Sequence, residues 1–159
     1  MSRPTVRLRG PLLPGRLGAH PLLALALGEP LGIALRWDAA RVGSGAERLV
    51  TSGQSPGERA LRFRRVFRDL LDLSEPALVV FRRAPEAVAQ WQEALLLAEV
   101  EGRTSWLGVG VDEGPPHLLD PLAAASARFG RPVGDRRQAD ALLLLAWADD
   151  EVGPTLVPA

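Results

Sequence analysis

The chain contains no cysteine. Disulfides and thiolate metal sites are therefore excluded. Only two histidines occur, His20 and His117, too few for a histidine-rich zinc site. Lysine, asparagine and tyrosine are missing, and Ile33 is the sole isoleucine. Those residues have AT-rich codons, so a GC-rich genome accounts for their scarcity without a functional cause. Long apolar runs are missing too. Pro21–Leu27 is apolar, but Gly28-Glu29-Pro30 stops it well short of the roughly 20 residues that a membrane helix needs. Its arginine-bearing leader superficially resembles a signal peptide. Leu31–Trp37 resumes at once with strand-like alternation, so a cytoplasmic protein with no membrane association is expected.

What is present fits one soluble domain. The chain has 159 residues, 47% apolar and 24% charged, which is ordinary for a globular protein. All 19 basic residues are arginine, balanced by 19 acids. The balance hides an asymmetry. Residues 1–68 carry 12 arginines and 4 acids, and residues 69–159 carry 7 arginines and 15 acids. Charge divided this way points to a polyanion-binding face, provided that sequence halves correspond to surfaces.

Proline and glycine punctuate residues 1–20, which read as an irregular arginine-bearing arm. A domain at 21–151 and a short tail at 152–159 follow. Leu22–Leu27 and Gly32–Asp38 read as a hairpin around Gly28-Glu29-Pro30, with Glu47–Ser52 as a third strand. Ser55-Pro56-Gly57-Glu58 is a helix start. That helix runs to about Leu73, with Ala60, Phe63, Phe67 and Leu70 as its apolar stripe. Arg59, Arg62, Arg65 and Arg68 recur at helical spacing and are expected to form a stripe along its remaining surface. Ala77–Phe81 suits a strand buried on both faces. A helix from Pro85-Glu86 to near Gly102, a strand at Trp106–Val111, and helices at about 117–129 and 135–150 complete the order. Three strands followed by alternating helices and strands make an α/β protein, a five-stranded mixed sheet flanked by helices.

The segment Arg128-Phe129-Gly130-Arg131-Pro132, followed by the helix from Asp135 through Asp140 to Ala148, resembles the closing segment of the RuvC-type Holliday-junction resolvases. These belong to the RNase H-like superfamily. The resemblance covers roughly residues 22–150, and it implies the RNase H-like fold. It also implies four carboxylates holding two divalent cations: one at the end of the first strand, one at the end of the fourth, and two three residues apart on the last helix. Asp140 matches the second of the helix pair, and Arg137 stands at the first. Glu29-Pro30 stands for the first-strand Asp-Pro pair if the loop is shortened. Otherwise Leu25 or Leu27 fills the strand position and the acid is lost. The fourth strand runs into Arg82-Arg83 where a glutamate belongs. Glu86 could substitute from the next helix, but its position suits the helix dipole. Asp135 is a natural N-cap.

Two-metal catalysis needs carboxylates on both ions, and Mg²⁺ binds weakly without them. Arginines suit phosphate instead. Gly43-Ser44-Gly45 lacks a full phosphate-loop pattern and reads as a turn. His117 follows Pro115-Pro116 and reads as a surface or helix-start residue. Trp37, Trp91, Trp106 and Trp147 read as core or interface. The Leu95–Leu97 and Leu142–Leu145 runs are broad enough for a sheet and for a homodimer or other protein contact.

Three functions stay open. The first is a pseudonuclease that binds branched DNA in recombination or repair through Arg59, Arg62, Arg65, Arg82, Arg83, Arg136 and Arg137, with no metal or other cofactor. The second is an active, divergent resolvase using Glu29 and Asp140 with Mg²⁺ or Mn²⁺. The third is a protein-interaction subunit with no nucleic-acid role, which the sequence pI of about 6.7 favours.

Overall fold

A computed structural model describes residues 5–7, 20–38, 40–110, 112–116 and 118–152. His117, most of the N-terminal arm and residues 153–159 lie outside the described residues. Along the chain come β1 (Thr5–Arg7), β2 (Leu22–Ala26), β3 (Leu31–Asp38), β4 (Arg41–Glu47), α1 (Pro56–Ser74), β5 (Leu78–Arg82), α2 (Ala87–Val100), β6 (Ser105–Val109), α3 (Pro121–Phe129) and α4 (Arg136–Trp147). A π-helical turn, Ala148–Val152, ends the described chain.

The sheet has the order β1-β6-β5-β2-β3-β4. β2, β3 and β4 form an antiparallel meander. β2, β5 and β6 run parallel. This is the expected mixed α/β sheet with one strand more, because Thr5–Arg7 pairs antiparallel with the β6 edge. For those three residues the irregular arm is corrected.

Alternation along the central strands assigns the two layers. Leu22, Ala24 and Ala26 pack with Leu78, Val80 and the apolar side of α4. Leu23 and Leu25 pack with Val79, Phe81, the α1 phenylalanines and Leu96 of α2. The strands are buried on both faces, so their sequences read as continuous apolar runs. Alanines at 24, 26 and 34 on one side and at 139 and 141 on the other let α4 lie close to the sheet.

The third strand differs from its expectation. It is Arg41–Glu47 and not Glu47–Ser52, and Gly43-Ser44-Gly45 lies within it and is not a turn. Two glycines and a serine carry almost no strand propensity. They suit this edge for another reason: the Trp37 ring lies across Gly43, where a Cβ would sit 3.2 Å from it. Ser44 Oγ accepts a 2.8 Å hydrogen bond from Gln138 of α4. The turn into β4 is fixed by Asp38, whose carboxylate accepts from the Ala40 and Arg41 amides.

Helix α1 starts as expected, with Ser55 and Glu58 forming a reciprocal capping box and Pro56 in the first turn. Its arginines do not form one stripe. A step of three residues turns a helix by about 300°, so the series 59, 62, 65, 68 drifts about 60° per step and ends on the opposite side. The pair that shares a side is Arg64 and Arg68, and both bind Glu99 of α2, at 3.1 and 2.9 Å. Likewise Arg36 pairs with Asp149 at 3.0 Å. Arginines of the first half thus meet acids of the second, and the sequence asymmetry is partly cancelled inside the fold.

The hydrogen bond from Arg68, with a second from Arg64, holds the Glu99 carboxyl below the ordinary glutamate range, against the opposing effect of its burial. A depressed folded pKa stabilises fully above the unfolded pKa and is lost as pH falls through the folded one. Glu99→Gln should therefore lower the urea midpoint at pH 7. The gap to the parent should begin to close below the ordinary glutamate pKa and vanish only below the depressed folded one. Parallel midpoint-against-pH curves would contradict this.

Candidate functional site

The carboxyl ends of β2 and β5 lie side by side, with Ala26 opposite Arg82 in the parallel register. Ala26 belongs to the core layer on the α4 side. Leu25 and Leu27 pack in the other layer, so neither fills the strand-end position that faces α4, and that expectation is corrected. Arg82, Arg136 and Asp140 line one small cavity of about 40 Å³ with Pro115, Pro116 and Leu143. Arg82 Nη1 also donates to the Pro115 carbonyl at 3.3 Å.

Arg137 lies one turn from Asp140, with Nη1 3.9 Å from its carboxylate. Its guanidinium is seated against the end of β2. Nε donates to the Pro30 carbonyl at 2.9 Å. Nη2 donates to the Ala26 and Leu27 carbonyls at 3.0 and 2.5 Å. Two glycines make room for this. Gly28 has φ +139°, which L side chains rarely adopt, and a Cβ there would strike the guanidinium. A Cβ on Gly32 would overlap the Arg137 carbonyl oxygen and lie 2.9 Å from its carbon. Asp135 caps α4 as expected, accepting from the Arg137 and Gln138 amides at 2.8 and 3.1 Å.

From the other layer, fully buried Gln92 clasps the same turn. Its Oε1 accepts from Gly28 N at 2.7 Å, and its Nε2 donates to the Gly28 carbonyl at 3.0 Å. Glu29 does not face this site with a carboxylate in waiting. Its two oxygens accept from the Leu49 and Val50 amides at 3.1 to 3.2 Å, bracing the segment after β4.

The remaining sequence candidates lie elsewhere. Arg83 points into the opposite layer, paired with Glu93 at 2.7 Å and lying over the Phe81 ring. Arg59, Arg62 and Arg65 belong to α1, also in that layer. The structure brings together Arg82, Arg136, Arg137 and Asp140, and places the other four arginines in the opposite layer. The Glu29 carboxylate is taken by the Leu49 and Val50 amides.

No family model and no curated protein matches the chain. Solved structures do. The chain is similar to Thermus thermophilus RuvC in complex with a Holliday junction substrate, at 15% identity over 82% of this chain and 94% of that one, with TM-score 0.63. A second Thermus thermophilus RuvC structure gives 17% identity, 84% and 97% coverage, and TM-score 0.63. The yeast mitochondrial Holliday junction resolvase gives 12% identity, 85% and 81% coverage, and TM-score 0.51. The chain has the RuvC-type, RNase H-like fold. The expected likeness is thus borne out at the level of fold.

The ends of β2 and β5 lie side by side, and the start of α4 packs against them. The side chains there are Ala26, Arg82, Arg137 and Asp140. One carboxylate and two guanidiniums do not make a two-ion donor set. Among the described residues, no three His, Asp or Glu side chains converge on a point that could hold a metal. Sequence reading missed the Gln92 clasp. The available signal was a polar residue at helical spacing between buried Ala89 and Leu96.

Proposed function

We propose that the chain binds branched DNA at the strand-end face bearing Arg82 and Arg136, and that it does so without cutting. The observation that carries the reading is the seat of Arg137. Where the fold would put a metal-binding carboxylate, a guanidinium donates to three backbone carbonyls. A fixed cation there occupies the donors' side of the site and repels a divalent ion. Arg82 and Arg136 flank it and suit phosphate oxygens, which arginine grips with paired hydrogen bonds. The likeness to a RuvC bound to a Holliday junction substrate supports branched DNA as the ligand. Nuclease chemistry with Mg²⁺ or Mn²⁺ at Glu29 and Asp140 is disfavoured because the Glu29 oxygens are held by the Leu49 and Val50 amides.

The test is binding and cleavage of a four-way junction. Wild-type protein should bind at about 50 mM salt and weaken with salt by a log–log slope near −0.9 per phosphate neutralised. Arg82→Ala with Arg136→Ala should flatten that slope by about one to two units. No specific nicking should appear with Mg²⁺ or Mn²⁺. Metal-dependent nicking that vanishes in Asp140→Asn would instead establish the active resolvase. Absence of DNA binding would leave the protein-interaction reading, which the exposed Leu118 beside this face favours.

A further inference from the structure

At the opposite end of β2, the structure holds a larger cavity of about 620 Å³ between the β3–β4 hairpin and the ends of α3 and α4. Arg36 lies opposite Leu22 in the register, about 13 Å along the strand from Ala26 at the usual rise per residue. This cavity is therefore separate from the strand-end face. Four arginines line it, Arg36 and Arg41 from the hairpin and Arg128 and Arg131 from the end of α3, against the single carboxylate of Asp149. Phe129, packed on the α3/α4 side, supplies apolar surface.

We propose that this cavity binds a phosphate group, carried either by a free nucleotide or by a DNA strand passing the pocket. The site is built around Arg36, which is only 6% exposed. It is held in place by Asp149 at 3.0 Å and by the His20 carbonyl at 3.4 Å. Arg41 and Arg128 are tied to Asp38 and Asp150, but through exposed pairs at 2.9 and 3.0 Å. Exposed ion pairs contribute little, so both guanidiniums can turn to an incoming phosphate. No ion pair joins Arg131 to a carboxylate among the described residues. The volume lies in the range of sites for small ligands, roughly 300–1,000 Å³. A phosphate supplies negative charge to a lining of four arginines and one acid, and Phe129 offers apolar surface beside it.

The experiment titrates ADP, and separately a four-way DNA junction, into the wild type, Arg128→Ala/Arg131→Ala and Arg103→Ala. Arg103 pairs with Asp72 on the other layer and serves as the control. Arg128 and Arg131 are exposed, so their loss leaves the core intact, which circular dichroism checks. The double variant should lose at least about tenfold in affinity for one of the two ligands, as the loss of a charge-assisted hydrogen bond predicts. Loss of ADP binding alone assigns the pocket to a free nucleotide. Loss of junction affinity with ADP inert assigns it to a DNA phosphate. Unchanged affinity for both ligands, or an equal loss in Arg103→Ala, overturns the proposal. Because Arg82 and Arg136 stay intact throughout, failure here is distinguishable from failure of the strand-end reading.

Discussion

Gly32→Ala should destabilise the protein by about 3 kcal/mol, the upper part of the usual range for overpacking a tight site. In a domain of this size that lowers the melting temperature by roughly 6–12 °C. The cause is the approach of α4 to β3. A Cβ at residue 32 would overlap the carbonyl oxygen of Arg137 and come within 3.0 Å of the Ala26 Cβ. The obstacle is helix backbone, which cannot swing aside as a long side chain can. Relief requires α4 to lift from β2 and β3, opening the small-residue contact among Ala24, Ala26, Ala34 and Ala139. Replacing glycine also restricts the unfolded chain, which opposes the loss by roughly 0.4–1 kcal/mol. The control is Gly45→Ala on β4, where nothing lies within 4 Å of the new Cβ. Urea midpoints of the two variants decide. If Gly32→Ala matches Gly45→Ala, the close approach of α4 has no energetic weight.

That contact also shows what could and could not be read from the sequence. The helix starts were legible because caps are local: Ser55 with Glu58, and Asp135, are recognisable from their neighbours alone. The central strands were legible because burial on both faces leaves no alternation to misread. The β4 edge was not. Its residues are chosen for what lies over them, the Trp37 ring and the Gln138 amide, and neither is near in sequence. The site was half legible. Arg137 and Asp140 were placed correctly relative to each other because a helix fixes their spacing. The assignment of Glu29 required knowing that the Leu49 and Val50 amides come to meet it across 20 and 21 residues. The arginine series on α1 misled because a step of three residues resembles a helical repeat over one turn and leaves it over three. The Arg36 cavity joins residues 36 and 149, a pairing that no local pattern announces.

Replacing Arg137 should separate a structural cation from a surface charge. In Arg137→Met the apolar stem stays and the guanidinium is lost, leaving the carbonyls of Ala26, Leu27 and Pro30 without this donor. Hydrogen bonds involving a charged group contribute roughly 1.5–3 kcal/mol each and are not additive. The Arg137 side chain is 30% exposed, so water replaces part of what is removed. The net loss should be about 2–4 kcal/mol on that basis, a large share of the roughly 5–15 kcal/mol that holds a typical domain together. Arg137→Lys keeps the charge but cannot fork to three acceptors on two sides of the turn, so it should recover only part of the loss. The wild-type melting temperature should be the same with EDTA as with millimolar Mg²⁺, because the strand end is already held by a cation of the chain itself. Should Arg137→Lys melt with the wild type, the charge alone would suffice and the three-carbonyl seat would be incidental. Should Mg²⁺ raise the wild-type melting temperature while Asp140→Asn abolishes the increase, the strand-end face would be a metal site after all, and the non-cutting reading would fall with it.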